Sequence, residues 1–474
     1  MSKFLKTNEQ LQSKEDLKKY LEKFASDNIL TKNSSSETFP ILRLEDNVTY
    51  IYLVYTLLND HIKLEIPIHP AGEWLLDNYY IIEKTAKIIK KELTLKEYKN
   101  LPGLLDDGFA RIYLLANEIV SCTDGKITKD DLIEYLNAYQ VNKELTMKEI
   151  WKINMFLQIS LIEKIREICE KIFIAQSQKW KVENSVERLI ENKNIEKIDI
   201  PISGEYQYIE YMSYKLRNMG SKANIYEEVF EEQVEKSGTT IEKAINREHF
   251  DIALKTLSMK NAITSIKNLL RIDTVSIFEQ VNVVEKILNN DPANVYKKMD
   301  YSSKAYYRSQ LLEIANETKI SEIFVANKII ELCKRNLYDE NSNNELQNLT
   351  IYNGNSNNEL QNLTIYNKKF NIYEANDGYK KTKNIINNHN ETSKIETIKK
   401  SHVGYYLIDK GRDELLTEIS NKKVRTKNSD EKAKVYITIQ VIFTLILTLL
   451  ISISKLQLNK VFKFFINHYL LYIF

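Results

Sequence analysis

The stretch His69–Asn78, HPAGEWLLDN, decides how this chain is read. Pro67 and Pro70 interrupt whatever precedes them. Pro70 also suits the first turn of a new helix, where its missing N–H would have had no partner. Beyond it Trp74, Leu75, Tyr79 and Ile82 recur at helical spacing, and apolar residues continue to about Ile89. The pattern predicts a helix that starts at the prolines and packs Trp74 inward. His69, Glu73 and Asp77 fall at i, i+4 and i+8, a spacing at which three side chains could share a face and hold a metal or move a proton. But His69 precedes Pro70 and is expected to stand outside the helix. The stretch therefore reads as a helix entry, and no residue in it is put forward as a site.

The flanks repeat the helical pattern. Residues 9–25 place Leu11, Leu17, Tyr20, Leu21 and Phe24 on one face among charges, and residues 46–60 place Val48, Ile51, Tyr52, Tyr55, Leu57 and Leu58 on a second. Thr94 with Glu97, Thr128 with Asp131, Thr146 with Glu149 and Thr239 with Glu242 have capping-box spacing, so each predicts a helix start. After Thr146 an apolar stripe runs through Ile150, Ile153, Leu157, Leu161, Ile165 and Ile168, the signature of core packing. Asp291-Pro292 reads as a turn, followed by helices near Ser303–Asn316 and Ser321–Cys333.

Composition agrees. In 474 residues there are only 11 glycines and 6 prolines, too few for the many tight turns of a β-sandwich or a doubly wound α/β enzyme. The fold class expected is all-α, a multi-helix cytoplasmic domain followed by a C-terminal transmembrane helix. Net charge is +2 with the two signs interleaved, which argues against nucleic acid as a partner. Cys122, Cys169 and Cys333 form no paired motif, so they read as small buried apolar residues in a reducing compartment. The opening MSKFLKTNEQ lacks an apolar run, and no signal peptide is expected.

The chain divides, by pattern, into a helical region over 1–335, an Asn-rich insertion or linker over 336–400, a membrane-proximal helical and basic segment over 401–434, and an apolar run over 435–454. The linker repeats NSNNELQNLTIYN at 341–353 and 355–367, as expected of a tandem duplication in a tolerant segment. Val435–Ser454 holds 20 residues without a charge. As a helix it would be about 30 Å long, the thickness of the hydrocarbon core. Lys422, Lys423, Arg425, Lys427, Lys432 and Lys434 precede it, and Lys455, Lys460 and Lys463 follow. The positive-inside rule then puts the N-terminal domain in the cytoplasm, held at the inner membrane. Residues 456–474 read as an incomplete second span or an interfacial tail.

Chemistry is harder to find. Asp124–Asp131 imitates part of a calcium loop, but the first and third ligand positions would be Val120 and Cys122, which offer no hard side-chain oxygen. Phosphate-binding glycine loops, HExxH and GxSxG are missing. So are the Asp-x-Asp and Gln-x-x-Arg-Trp signatures of sugar-nucleotide transferases. No catalytic, cofactor-binding or metal-ligating residue is put forward, and no cofactor.

Several blocks nevertheless resemble, in order, the N-terminal region of cyclic β-1,2-glucan synthases. They are HPAGEWLLDNYYIIEK, LPGLLDDGFARIYLLANEIVSCTDGKI at 101–127, Ala138–Gln140, LTMKEIW at 145–151 and SLIEKIREI at 160–168. NAITSIKNLLRID, IFEQVNVVEKIL, DPANVYKKMDY, Tyr307-Arg308 and HVGYYLIDKGRDEL at 402–415 follow. The resemblance covers roughly residues 10–454. It departs at Ala110, Thr274, Ser303–Ala305 and the Asn-rich repeat. It implies a helical cytoplasmic region that, in the family, precedes membrane helices around a transferase domain using UDP-glucose and a phosphorylase-like domain. Those two domains have no counterpart here, so no catalytic residue carries over. The chain is expected to be a truncated, non-catalytic N-terminal region, a scaffold or regulator whose partners are the membrane and a glycosyltransferase core or its remaining fragments. An independent membrane-anchored helical interaction protein is the alternative, and a helical carbohydrate-active enzyme with two carboxylates in a cleft is a further one.

Overall fold

A computed structural model describes residues 12–192, 206–220, 224–336 and 399–420, together with Gln440 and Thr444. The chain forms two compact units, Met1–Lys286 and Ile287–Phe474, so the division falls within the helical 1–335 region. The all-α expectation holds. Strand structure among the described residues is one antiparallel ladder of two-residue strands, Leu30 opposite Leu104 and Thr31 opposite Gly103.

The first unit begins with α1 (Lys14–Asp27), strand β1 (Leu30–Thr31), α2 (Ile41–Lys63) and α3 (Pro70–Glu92). Then come α4 (Leu95–Lys99), β2 (Gly103–Leu104), α5 (Arg111–Cys122), α6 (Lys129–Gln140) and α7 (Met147–Asn192). It closes with α8 (Tyr206–Asn218), α9 (Asn224–Lys236), α10 (Ile241–Leu269), α11 (Thr274–Val281) and α12 (Val283–Leu288), whose end crosses into the second unit.

The 46-residue α7 is the axis of this unit. Residues 156–163 are buried on every side, as expected of a helix surrounded by others rather than lying on a surface. Helices α2, α3, α5, α8 and α10 pack along it. All six residues of the predicted stripe, Ile150 to Ile168, are buried. Each fully buried Ile or Leu contributes roughly 1.5–3 kcal/mol of transfer free energy. Replacing one with Ala would cost about 2–5 kcal/mol once the cavity is included. Where α2 meets α3, a Cβ on Gly72 would stand 2.9 Å from Cδ1 of the buried Leu58, so a larger residue there would require that side chain to shift.

Several local expectations hold and some need correction. Thr94 and Glu97 form a reciprocal capping box. Thr146 and Glu149 do as well, with Glu149 N donating to Thr146 Oγ1 at 3.3 Å and Thr146 N to Glu149 Oε2 at 2.9 Å. At α10 the cap is Thr240, not Thr239. Its hydroxyl accepts from Lys243 N, so the start lies one residue later than the Thr239–Glu242 spacing implied. On α2 the buried face is Leu44, Asn47, Ile51, Val54, Leu58 and His61. Tyr52, expected inward, is 54% exposed, because that face rotates past it toward α7. Trp74 is half-buried rather than packed inward. It lies beside the buried row of α3, with the Lys260 amine 6.0 Å from its ring centroid.

In the second unit the Asp291-Pro292 turn precedes α13 (Tyr301–Thr318), α14 (322–336), α15 (Val403–Ile408) and α16 (Arg412–Ser420). Asp300 caps α13, and Lys319 ends it in the left-handed conformation. Among the described residues no helix is long and apolar enough to cross a membrane. The run 435–454, apart from Gln440 and Thr444, lies outside the described residues, as do the tail 456–474 and the repeat within 341–367.

Candidate functional site

The opening stretch resolves into a helix cap. His69 is fully buried, and its Nδ1 accepts the Ala71 amide at 3.0 Å, serving the role usually filled by Ser or Asp. Burial, reinforced by the positive charges of Lys255 and Lys179, pushes its pKa down to about 3, so the ring is neutral. Glu73 and Asp77 are exposed on the other side of the helix, so the structure does not bring the three together. Behind the cap, Lys179 Nζ donates to Pro67 O at 3.0 Å, and Gln176 Nε2 lies 2.9 Å from His61 Nδ1. The segment entering α3 is thus tied to α7.

The polar groups of the next blocks meet across the first unit. Arg111 and Glu149 form a buried fork: Arg111 Nε donates to Glu149 Oε1 at 2.7 Å and Nη2 to Oε2 at 2.6 Å. Arg111 Nη2 also donates to Glu144 O at 2.9 Å, so the guanidinium is held from two sides. Glu163 accepts the Tyr113 hydroxyl at 2.6 Å and pairs with Arg43 Nε at 2.9 Å. Burial raises its carboxyl pKa against the opposing pull of Arg43 and the Tyr113 hydrogen bond. Asp124, considered above as a calcium-loop position, takes the left-handed conformation in the turn after α5 and accepts Ser258 Oγ on both oxygens.

The second unit gathers three further blocks at one carboxylate. Asp291 Oδ2 accepts Val295 N and Tyr296 N, each at 3.1 Å, and Oδ1 accepts Val403 N at 3.2 Å. His402 Nδ1 lies 2.8 Å from Oδ2, and His402 Nε2 lies 3.3 Å from the Tyr307 hydroxyl. With Asp291 ionised, the tautomer that serves both contacts carries its proton on Nδ1 and accepts from Tyr307 on Nε2. Burial pushes the Asp291 carboxyl up. The hydrogen bonds from His402 and from the backbone amides outweigh that and hold it below the usual carboxylate range. A Cβ on Gly404 would collide with the Tyr307 hydroxyl, so this glycine lets α15 approach α13.

The constellation has the composition of an acid–base relay, but all three members are buried or nearly so, and its donors are mostly backbone amides of the turn and of α15. What it does in the molecule is fasten. The sequence singled out Asp291 as a turn residue and quoted His402 and Tyr307 within separate blocks. A pairing across 111 positions leaves no local signal. Among the described residues no group of three or more His, Cys, Asp or Glu is placed to hold a metal ion. The cysteines are free and buried, with burial raising each thiol pKa, that of Cys122 to about 12.

These ties join segments already quoted for their likeness to one family, and a direct comparison agrees. Over 298 residues, 61% of this chain, the sequence is 24% identical to the cyclic β-(1,2)-glucan synthase NdvB of Rhizobium meliloti (strain 1021). The chain is related to the cyclic β-(1,2)-glucan synthases. The match spans 10% of the length of that synthase. No family model matches the chain. The relationship to the synthases gives the buried ties a context: Arg111, Glu149, Asp291, Tyr307 and His402 all lie in the synthase-like blocks, and each holds one such block against another.

Proposed function

We propose that this chain is a non-catalytic helical module of a cyclic β-1,2-glucan synthase-like system, a scaffold or regulator for a glucosyltransferase core. The observation that carries this reading is the engagement of three of its buried acids. Glu149 is committed to Arg111 and the α7 cap, Glu163 to Tyr113 and Arg43, and Asp291 to His402 and three backbone amides. A general acid or base needs a face open to substrate, and these carboxylates face helix partners instead. A transferase core is the partner of choice, because the relationship is to a synthase.

In this reading the basic segment and the apolar run Val435–Ser454 hold the helical units on the cytoplasmic face of the inner membrane. Incubation of the purified chain with UDP-glucose and Mg²⁺ should yield no glucan; appreciable glucan formation would overturn the proposal. Carbonate-washed membranes from cells expressing the chain should retain it, and external protease on sealed spheroplasts should leave the helical units intact. Release by carbonate would remove the tether.

A further inference from the structure

We infer that the outer seam between α2 and α3 is a binding site for a neutral gluco-oligosaccharide. The choice of sugar rests on the glucan-synthase reading above; the geometry of the site does not. Three tyrosine rings cluster on this seam. Tyr55 and Tyr79 stack with centroids 4.7 Å apart, Tyr52 lies 5.7 Å from Tyr79, and Tyr52 is nearly parallel to Tyr55 at 18°. Tyr52 is 54% exposed although it stands in the middle of a 23-residue helix. Tyr55 and Tyr79 are half-buried against each other, and Tyr52, the exposed ring of the three, offers a flat face to a ligand with the other two behind it.

Tyr79 also lines the adjoining groove of about 380 Å³, within the range of roughly 300–1,000 Å³ typical of small-ligand sites. Leu44 and Ala86 are buried there beneath side chains of α2 and α3. The rim is charged but self-neutralised: Lys90 pairs with Glu45 at 2.5 Å and Lys87 with Glu83 at 2.8 Å, while Thr49 adds a hydroxyl. The platform and the groove share Tyr79 and so form one continuous surface.

The chemistry of this surface selects its occupant. A phosphate or polyanion calls for unpaired cations, and here each rim lysine faces a carboxylate. An apolar partner helix calls for a dry groove, and this rim would leave two ion pairs to desolvate. A pyranose has one C–H face that can lie on a tyrosine ring and an edge of hydroxyls that both donate and accept. Carboxylate–ammonium pairs supply acceptors and donors side by side for that edge. A neutral oligosaccharide therefore meets both halves of the surface without stranding a charge.

The test is calorimetric titration of the full purified chain with β-1,2-linked gluco-oligosaccharides, without nucleotide sugar. Saturable binding is expected. Tyr52→Ala, an exposed position whose change should not disturb folding, is expected to weaken it about tenfold, the scale of one aromatic contact. Glu83→Ala is expected to weaken it less. Tyr80→Ala, an exposed aromatic on the same helix outside the ring cluster, should leave it unchanged. The inference is overturned by absence of binding, by undiminished binding in Tyr52→Ala, or by preference for an anionic oligogalacturonide. It is equally overturned if the chain self-associates through this face, with Tyr52→Ala dissolving the dimer and no sugar bound. Any of these leaves the non-catalytic reading standing, whereas turnover of UDP-glucose would remove that reading without touching the binding site.

Discussion

The two units are fastened internally by different chemistries. In the first, Arg111 and Glu149 are two full charges buried 38 positions apart and matched in a fork. In the second, Asp291 is one charge surrounded by neutral donors and a histidine 111 positions away. The first tie depends on both partners, because either ion alone would be stranded in a low-dielectric interior. The second depends on the carboxylate, because its donors are mostly backbone amides that no mutation removes. Long-range pairing can thus rest on a matched couple or on a single acceptor that collects several segments.

The largest effect is expected where the couple is split. Glu149→Ala should lower the unfolding free energy by about 3–5 kcal/mol, since Arg111 remains buried without its counter-ion. Urea denaturation would measure it. Replacing both partners, Arg111→Met with Glu149→Leu, should recover most of that loss, leaving about 1 kcal/mol for the vanished α7 cap. A double variant as unstable as the single one would break the comparison.

Asp291→Asn comes next. It keeps the shape but replaces one accepting oxygen by an amide, and should cost about 2–3 kcal/mol as formerly charge-assisted hydrogen bonds are lost. His402→Gln should cost less than Asp291→Asn, because the backbone donors remain on the carboxylate. The reverse order would mean that the histidine, not the acid, holds the second unit together.

Acid should separate the units further. His69 has a folded pKa of about 3, below its unfolded value of about 6.5, so the unfolded chain binds the extra proton. The associated stability is present above the unfolded value and is lost as pH falls, by up to about 1.4 kcal/mol per pH unit until about pH 3. Asp291 behaves in the same sense but lower on the scale: its contribution is complete above the ordinary aspartate range and disappears as pH falls through its depressed pKa. The His69 contribution should therefore fade before that of Asp291. His69→Asn keeps a capping acceptor and should flatten the stability profile between pH 6.5 and 4, read by thermal unfolding across that range. A profile identical to that of the parent chain would contradict the assignment.

The smallest effect concerns a local feature. Thr240→Ala should cost about 1 kcal/mol of stability, as the loss of a helix cap does, whereas Thr239→Ala should stay within about 0.5 kcal/mol.

That last pair also shows where the sequence stops being legible. Helix starts at Thr94 and Thr146 could be read because hydroxyl and acid both act within one turn. At Thr239-Thr240 two equivalent hydroxyls compete, and Glu242 drew the assignment one residue early. The apolar stripe of α7 was readable because it is periodic. The Arg111–Glu149 fork is half readable: the Thr146–Glu149 spacing marks Glu149 as a capping acid, but nothing local says that its carboxylate also receives an arginine from α5. Tyr52 shares an apolar spacing with Ile51 and Tyr55, so the sequence pattern puts it on the buried face although the ring is 54% exposed. Only the neighbours of α2 decide that Val54 turns in and Tyr52 turns out.

The length of α7 has a mechanical consequence. Its N-terminal half is clasped by the main core. Its C-terminal part, through Val182, Val186 and Leu189, belongs to a separate apolar cluster with Tyr208, Met212 and Phe230. One continuous rod therefore serves two cooperative neighbourhoods. Amide hydrogen exchange should show a step within a single helix, fast beyond about Val182 whenever the satellite cluster opens and slow around Ile150–Ile172. Such a rod can report the state of its far end as a change in its own length of ordered helix.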